Sequence, residues 1–267
     1  MERKGASAAQ IAFTSMKRHA NPYCDAQRFN GAPNIDECWT FAVGDVHGCY
    51  DKMQQLVARC LTFANSHVYR FIFLGDLIGR GPRSKDVIQY LVDLQTRWPE
   101  KYICLRGNHE HTILLASESG FNEDQEFLDK QAAILSSYGV SGVRQLPRYH
   151  LDWLSQLPLT FNDGSRLYVH AGIQPGTEIA AQQPDMLLTI REPFLSDERD
   201  YGVLIVHGHT PTANHKPDIR KNRVNVDTNA SRGGPLTAAV FNNLAPWPIG
   251  YISDLEGFFP LQPPRHR

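Results

Sequence analysis

The stretch YRFIFLGDLIGRGP, residues 69–82, places an apolar run directly before a glycine-rich turn that carries Asp76 and Arg80. The same unit returns along the chain, as an apolar, β-branched or aromatic run that ends in a turn with a polar residue. It recurs in WTFAVGDVHG (39–48), YICLRGNHE (102–110), RLYVHAG (166–172), VLIVHGHT (203–210) and NRVNVDT (222–228). Continuous apolar runs of this length are typical of strands that are buried on both faces of a sheet.

The segments between these runs predict helices. Apolar residues recur at helical spacing in residues 50–61 and 84–94. The resulting β-α-β-α-β order predicts parallel strands up to residue 108, whereas the turn NDGS (162–165) predicts an antiparallel hairpin. Residues 110–157 are predicted to be mainly helical, and residues 183–200 to be rich in loops. Together these patterns predict a mixed α/β architecture.

The length and charge of the chain set its domain organisation and exclude two classes of partner. A chain of 267 residues can bury a large core. We expect one domain at 38–245, an N-terminal tail or arm at 1–37 and a Pro-rich C-terminal extension at 246–267. The 27 Lys and Arg against 28 Asp and Glu give a net charge of −1. Because no general electrostatic field attracts anions, we expect no nucleic-acid partner and no membrane partner.

The five cysteines predict the compartment. Their number is odd and no pair has C-x-x-C spacing, which argues against a disulfide framework and against a cysteine zinc site. We therefore expect a cytoplasmic protein.

The polar residues of the turns predict a metal centre. Ligands gather outside the carboxyl ends of the strands in α/β sheets, and each informative polar residue follows a predicted strand. Oxygen and imidazole donors without a thiolate suit Mn, Fe or Zn. The six candidate donors are Asp45, His47, Asp76, Asn108, His170 and His209. Six donors are enough for two bridged ions, a pair that typically lies about 3.5–4 Å apart and serves phosphoryl displacement.

The motifs GDVHG, GDLIGRG, RGNHE, HAG and HGHT stand in the order and spacing of a known family. Over residues 39–241 the chain resembles the phosphoprotein phosphatases among the metallophosphoesterases, especially their bacterial members. The resemblance implies the calcineurin-like fold, in which two mixed β-sheets pack as a sandwich flanked by helices. It also implies hydrolysis of phosphoserine or phosphothreonine in proteins, or of a small phosphate ester, by in-line attack of a metal-bound hydroxide.

The resemblance also assigns roles to individual residues. It implies that Asp45 and His47 hold one divalent ion, that Asp76 bridges, and that the second ion is held by Asn108, His170 and His209. The ions are expected to be Mn, with Fe or Zn as alternatives. His109 matches the histidine that protonates the leaving oxygen. The arginines that match phosphate-gripping positions are Arg80, Arg106 and Arg191.

One position, Gly79, departs from the family pattern. Protein phosphatases of the family commonly carry an Asp there, which pairs with the histidine that His109 matches. Symmetrical diadenosine tetraphosphatases also lack that Asp, although they usually read GNHD where this chain reads GNHE. Two alternatives therefore stay open: a hydrolase of dinucleoside polyphosphates or nucleotides, and a catalytically weak regulator that captures phosphorylated partners. The sequence leaves the oligomeric state open.

Overall fold

The computed structural model describes residues 38–118 and 123–261, and a six-stranded mixed sheet lies at its centre. Its strands are β1 (Trp39–Val43), β2 (Tyr69–Phe73), β3 (Tyr102–Cys104), β9 (Thr237–Phe241), β10 (Gly250–Ser253) and β11 (Phe258–Pro260). They are arranged in the order β11-β10-β9-β1-β2-β3. Strands β1, β2 and β3 are parallel, as the β-α-β-α-β pattern predicts, and β9, β10 and β11 add antiparallel neighbours.

The strands of a second, five-stranded mixed sheet are β4 (Thr160–Asn162), β5 (Arg166–Val169), β6 (Leu204–His207), β7 (Asp218–Ile219) and β8 (Arg223–Asn225). They are arranged in the order β4-β5-β6-β8-β7. Strands β5, β6 and β8 are parallel, while β4 and β5 form the antiparallel hairpin predicted from NDGS.

The two sheets pack face to face, and alternation along the strands builds the layers. In β1, Ala42 faces the apolar layer that also contains Tyr168 and Val206 of the second sheet. Its neighbours Phe41 and Val43 belong to a separate cluster on the helix-covered face. Successive side chains of a strand point to opposite faces. Strands that are covered on both sides therefore need the continuous apolar runs seen in the sequence, and the predicted sandwich is confirmed.

Helices cover the outer faces. Helices α1 (Tyr50–Ala64) and α2 (Ser84–Arg97) fall where the sequence predicts them and extend three residues further. The predicted helical stretch contains α3 (Asn108–Ser117), α4 (Gln125–Tyr138) and α5 (Arg148–Gln156). The loop-rich segment contains the short helix α6 (Pro184–Thr189). No helix among the described residues is long and apolar enough to span a membrane.

The C-terminal boundary needs a correction. Residues 246–267 were predicted to be an extension, but β10 pairs along its whole length with β9, and β11 pairs with β10. The Asp254 side chain also accepts a hydrogen bond from the backbone N–H of Leu236. The Pro-rich composition concealed two short strands, so the domain continues to at least residue 260. The predicted arm at 1–37, with Cys24, lies outside the described residues, as do 119–122 and 262–267.

Candidate active site

The loops that follow five parallel strands meet at one place between the sheets. The backbone N–H groups of Val46 and His47 donate to the Asp76 carbonyl at 3.1 and 2.8 Å, which joins the loops after β1 and β2. Across the sandwich, the backbone N–H of His209 donates to Asp45 Oδ1 at 3.0 Å. His170 Nδ1 lies 2.9 Å from the Leu74 carbonyl. Loops from both sheets are thus fixed to one another through candidate ligands.

Asp76 lies at the centre of two groups of potential metal donors. One group is His47, Asp76 and His109, and the other is Asp76, His170 and His209; within each group the donor atoms lie within 4.8 Å of one another. Asp76 Oδ2 is 3.5 Å from His47 Nε2, and Asp76 Oδ1 is 3.4 Å from His170 Nε2. The arrangement brings His109 into the first group, although the sequence predicts it as a proton donor.

The other two predicted ligands flank these groups. Asp45 Oδ2 lies 3.9 Å from His47 Nε2, and Asn108 Oδ1 lies 3.0 Å from His170 Nε2. The other five predicted donors are therefore gathered around Asp76. Their roles as ligands stay a prediction.

Hydrogen bonds to backbone carbonyls fix the histidine tautomers. His47 Nδ1 lies 3.1 Å from the Ile78 carbonyl, and His170 Nδ1 contacts the Leu74 carbonyl. A carbonyl only accepts, so each Nδ1 carries a hydrogen and each neutral ring directs the lone pair of Nε2 into the centre. The lone pair of His170 Nε2 then faces the side-chain amide of Asn108, with Oδ1 3.0 Å away, and a cation bound by both atoms would stabilise this arrangement. The donor set fits divalent metal ions.

The electrostatics of the buried groups agree with this fit. Burial lowers the pKa of His47 and of His209 to about 4, which keeps both rings neutral and able to donate an electron pair. Burial, followed by the charges of Asp227 and Asp76, raises the pKa of Asp45 well above its ordinary value. Burial also acts to raise the pKa of Asp76, but the surrounding histidines lower it overall. Several buried carboxylates in close contact are the environment that a divalent cation stabilises.

The backbone at three candidate ligands adopts the left-handed conformation. His47, Asp76 and His209 have φ of 46°, 47° and 63°. Non-glycine residues in this region are uncommon, although Asn, Asp and His are enriched among them, and such strain clusters at functional sites. The turns therefore aim these side chains inward at some conformational cost.

Glu110 holds the centre together, and the sequence interpretation missed it. Its Oε1 accepts the backbone N–H groups of Leu77 and Ile78 at 2.9 and 3.0 Å, and its Oε2 accepts those of Asp76 and Gly107 at 2.9 and 2.8 Å. Burial and the Asp76 charge act to raise the pKa of Glu110, while these N–H groups stabilise its carboxylate form and act to lower it. Two donors on each oxygen fit the ionised form, because a protonated oxygen would face a donor.

A signal for Glu110 is present in RGNHE. Gly107 is the N-cap of α3 and Glu110 is its third residue, the spacing of a capping box. Here the same carboxylate also caps the loop after β2, which the spacing alone does not indicate.

Gly79 occupies a position that excludes a side chain. Its φ is +134°, a conformation that L side chains rarely adopt. A Cβ at this position would lie 2.8 Å from His47 Nδ1 and 2.9 Å from His109 Nδ1. The two imidazole rings pack edge to face over the glycine, with centroids 4.8 Å apart. The conformation of this loop is therefore incompatible with an Asp at position 79 unless the two rings move.

The three predicted arginines differ in their surroundings. Arg80 and Arg191 are exposed, and after burial and nearer groups their charges contribute to the lowered pKa values of His47 and His209, respectively. Arg106 is half-buried, and its Nη2 donates to a backbone carbonyl, that of Ser155 in α5. Arg106 Nε is buried without a hydrogen-bond partner among the described residues. The exposed side chains of Arg80 and Arg191 can reach a ligand at the site, whereas the Arg106 guanidinium is fixed by its hydrogen bond to α5.

Comparison with protein families and curated proteins gives consistent matches. The family described as calcineurin-like phosphoesterase matches residues 39–235. A symmetrical bis(5'-nucleosyl)-tetraphosphatase of Dechloromonas aromatica (strain RCB) is 31% identical over 136 residues, which cover 51% of this chain and 44% of that protein. A protein of the same name from Vibrio cholerae is 28% identical over 171 residues, covering 60% and 58%. The chain spans about half the length of the curated relatives it matches.

Solved structures share the fold. One described as a putative diadenosine tetraphosphatase has a TM-score of 0.59 at 23% identity, covering 79% of this chain and 91% of that chain. A cold-active protein-tyrosine phosphatase of a psychrophile Shewanella species has a TM-score of 0.53 at 16% identity, covering 76% and 77%. At these identities the likeness establishes the architecture alone.

Proposed function

The chain belongs to the calcineurin-like phosphoesterases, and from this premise we propose that it hydrolyses dinucleoside polyphosphates with the help of divalent metal ions. The sequence favoured phosphoproteins as substrates, with dinucleoside polyphosphates as the alternative. The names of the relatives favour the alternative, and the exclusion of a side chain at Gly79 is the observation that carries it.

Gly79 matters because of the leaving group. Without an Asp at this position, His109 Nδ1 has no carboxylate partner among the described residues, and the nearby carboxylate oxygen, Asp76 Oδ2, lies 3.9 Å away on the Nε2 side of the ring. Release of a serine alkoxide needs strong proton donation, whereas the leaving group of a phosphoric anhydride is a nucleotide phosphate, whose second pKa is about 6. A site with an unassisted histidine is therefore better suited to anhydrides than to phosphoserine esters.

The residues would divide the work as follows. Bound divalent ions would acidify a water molecule and offset phosphate charge, and we propose Mn, with Fe or Zn as alternatives. The residues that would hold them are Asp45, His47, Asp76, Asn108, His170 and His209. Arg80 and Arg191 would orient the polyphosphate through charge-assisted hydrogen bonds, and Arg106 would shape the phosphate-facing wall. His109 Nε2, which is 3.9 Å from Asp76 Oδ2, faces the centre and would give a proton to the leaving oxygen.

A direct comparison of substrates tests the proposal. The protein with Mn²⁺ is given diadenosine tetraphosphate, a phosphoserine peptide or p-nitrophenyl phosphate, and nucleotide products are separated by anion-exchange chromatography. We expect the highest kcat/KM for diadenosine tetraphosphate, with ADP as the single nucleotide product. AMP and ATP in equal amounts would show a different cleavage position. A higher kcat/KM for the phosphopeptide would overturn the proposal and return the protein to the phosphoprotein phosphatases.

A further inference from the structure

A cation–π pair, Tyr50 and Arg83, lies beside the candidate centre and has no role in it so far. The guanidinium carbon of Arg83 lies 4.3 Å from the ring centroid of Tyr50. The Tyr50 ring meets the ring of Tyr90 at 86°, with centroids 5.9 Å apart, and its hydroxyl bonds with Gln54 at 2.7 Å. Contacts with Gln54 of α1 and Tyr90 of α2 therefore hold the Tyr50 ring in place.

The backbone places this pair at the rim of the centre. The N–H of Arg83 donates to the carbonyl of Gly48 at 3.1 Å, and the N–H of Gly81 donates to the carbonyl of His47 at 2.6 Å. Tyr50 follows His47 by three residues, and Arg83 follows Arg80 by three. A ligand whose phosphates contact Arg80 at the candidate centre would thus have room to extend towards this pair.

Two ion pairs hold the Arg83 guanidinium, which remains accessible to solvent. Its Nη1 lies 2.6 Å from Asp51 Oδ1, and its Nε lies 2.6 Å from Asp86 Oδ2. The side chain is nevertheless 42% exposed. Ion pairs at such exposure stabilise a fold little, but here they fix the plane of the guanidinium before any ligand arrives. A preorganised planar cation loses little conformational freedom when a second planar group stacks on it.

We propose that Arg83 and Tyr50 form a platform on which a nucleobase of the substrate stacks. Nucleobases stack on aromatic rings and on arginine planes with little dependence on sequence. The platform rests on the proposed function, since a nucleoside substrate gives it a ligand. It would add affinity for nucleotides over phosphate esters that lack a base.

A matched pair of inhibitors isolates the base. AMP carries adenine where ribose 5-phosphate carries its anomeric hydroxyl, and each is tested as a competitor of p-nitrophenyl phosphate hydrolysis. For the parent protein we expect AMP to bind about tenfold more tightly than ribose 5-phosphate, which corresponds to about 1.4 kcal/mol. In Arg83→Lys, which keeps the charge but loses the plane, and in Tyr50→Leu, the ratio should fall to about one.

The control is Arg97→Lys at the other end of α2. Arg97 also lies over an aromatic ring, 5.2 Å from that of Trp98, but α2 has 14 residues and so separates the two positions by about 20 Å. The control should keep the parent ratio, and thermal unfolding should verify that each variant is folded. A parent ratio near one, or a tenfold ratio that survives both Arg83→Lys and Tyr50→Leu, would overturn the platform. If the ratio behaves as expected while diadenosine tetraphosphate is not cleaved, the platform stands and the proposed function fails.

Discussion

Replacing Gly79 by Asp tests whether the glycine reflects the loss of a catalytic carboxylate or is required by the conformation of the loop. From the sequence alone, Gly79→Asp should supply His109 with a partner and speed the hydrolysis of phosphopeptides by about tenfold. The structure leads to the opposite expectation. The new Cβ would lie 2.8 Å from His47 Nδ1 and 2.9 Å from His109 Nδ1, and the residue would have to adopt φ near +134°.

The cost can be worked out from these contacts. A side chain in a sparsely populated backbone region costs about 1–3 kcal/mol, and turning two rings away from their rotamers adds about 0.5–1.5 kcal/mol each. We therefore expect the free energy of unfolding to fall by roughly 2–6 kcal/mol. For a domain of this size, each 1 kcal/mol lowers Tm by about 2–4 °C. Displacement of the His47 ring would also break its 3.1 Å contact with the Ile78 carbonyl and disturb the metal centre.

The Gly79→Ala variant distinguishes the effect of adding a Cβ from the effect of adding a carboxylate. Thermal unfolding and the ratio of phosphopeptide to p-nitrophenyl phosphate turnover are measured for both variants and the parent. Both variants should lose stability and turnover, and the ratio for Gly79→Asp should not exceed that for Gly79→Ala. A Gly79→Asp protein with the parent Tm and a tenfold higher ratio would refute this reasoning and restore the interpretation as a weakened protein phosphatase.

The same structure makes three further predictions. Asp76→Asn should lower the metal content, measured by elemental analysis, and should lower turnover by about 100-fold or more, because Asp76 belongs to both donor groups. Full activity in metal-stripped protein would contradict a metal mechanism. Arg80→Ala and Arg106→Ala should each weaken inhibition by vanadate by about 10- to 100-fold, but only Arg106→Ala should also lower Tm, since Arg106 bonds the Ser155 carbonyl. Unchanged inhibition in both variants would show the arginines to be structural. Glu110→Gln should lower the free energy of unfolding in urea by about 2–4 kcal/mol, because the amide nitrogen would face two N–H donors that lose their acceptor. The exposed Glu126→Gln is its control, and equal stability of these two variants would show that the four N–H contacts contribute little.

The sequence predicted the features that depend on strand order. Parallel strands end at the same edge of a sheet, so polar residues that follow them, such as Asp45 and Asp76, had to meet. Apolar runs without alternation indicated two covered faces, as Ala42 and Phe41 illustrate. Both inferences need only local patterns and the rules of sheet packing.

Features that depend on three-dimensional contacts were not accessible in this way. The spacing of Glu110 indicates a helix cap, but its bonds to Leu77 and Ile78 cross 33 and 32 residues of chain. The φ of Gly79 and the two rings above it are set by loops from different strands. The sequence alone therefore could not show whether the glycine marks a lost carboxylate or is required by the loop. Strands β10 and β11 were missed because they are short and lie between prolines and glycines, where composition outweighs periodicity.

The left-handed turns at His47, Asp76 and His209 also restrict how this centre could be re-engineered or could diverge. Most L residues adopt this backbone at a cost of roughly 1–2 kcal/mol, and Asn and Asp are the common exceptions besides glycine. Exchanges of these histidines for Asp or Asn would therefore retain the turn while changing the donor atom from nitrogen to oxygen. A cysteine at the same positions would have to bear the full conformational cost. The left-handed backbone at these positions thus disfavours thiolate ligands, and with them thiophilic cations, relative to hard and borderline cations.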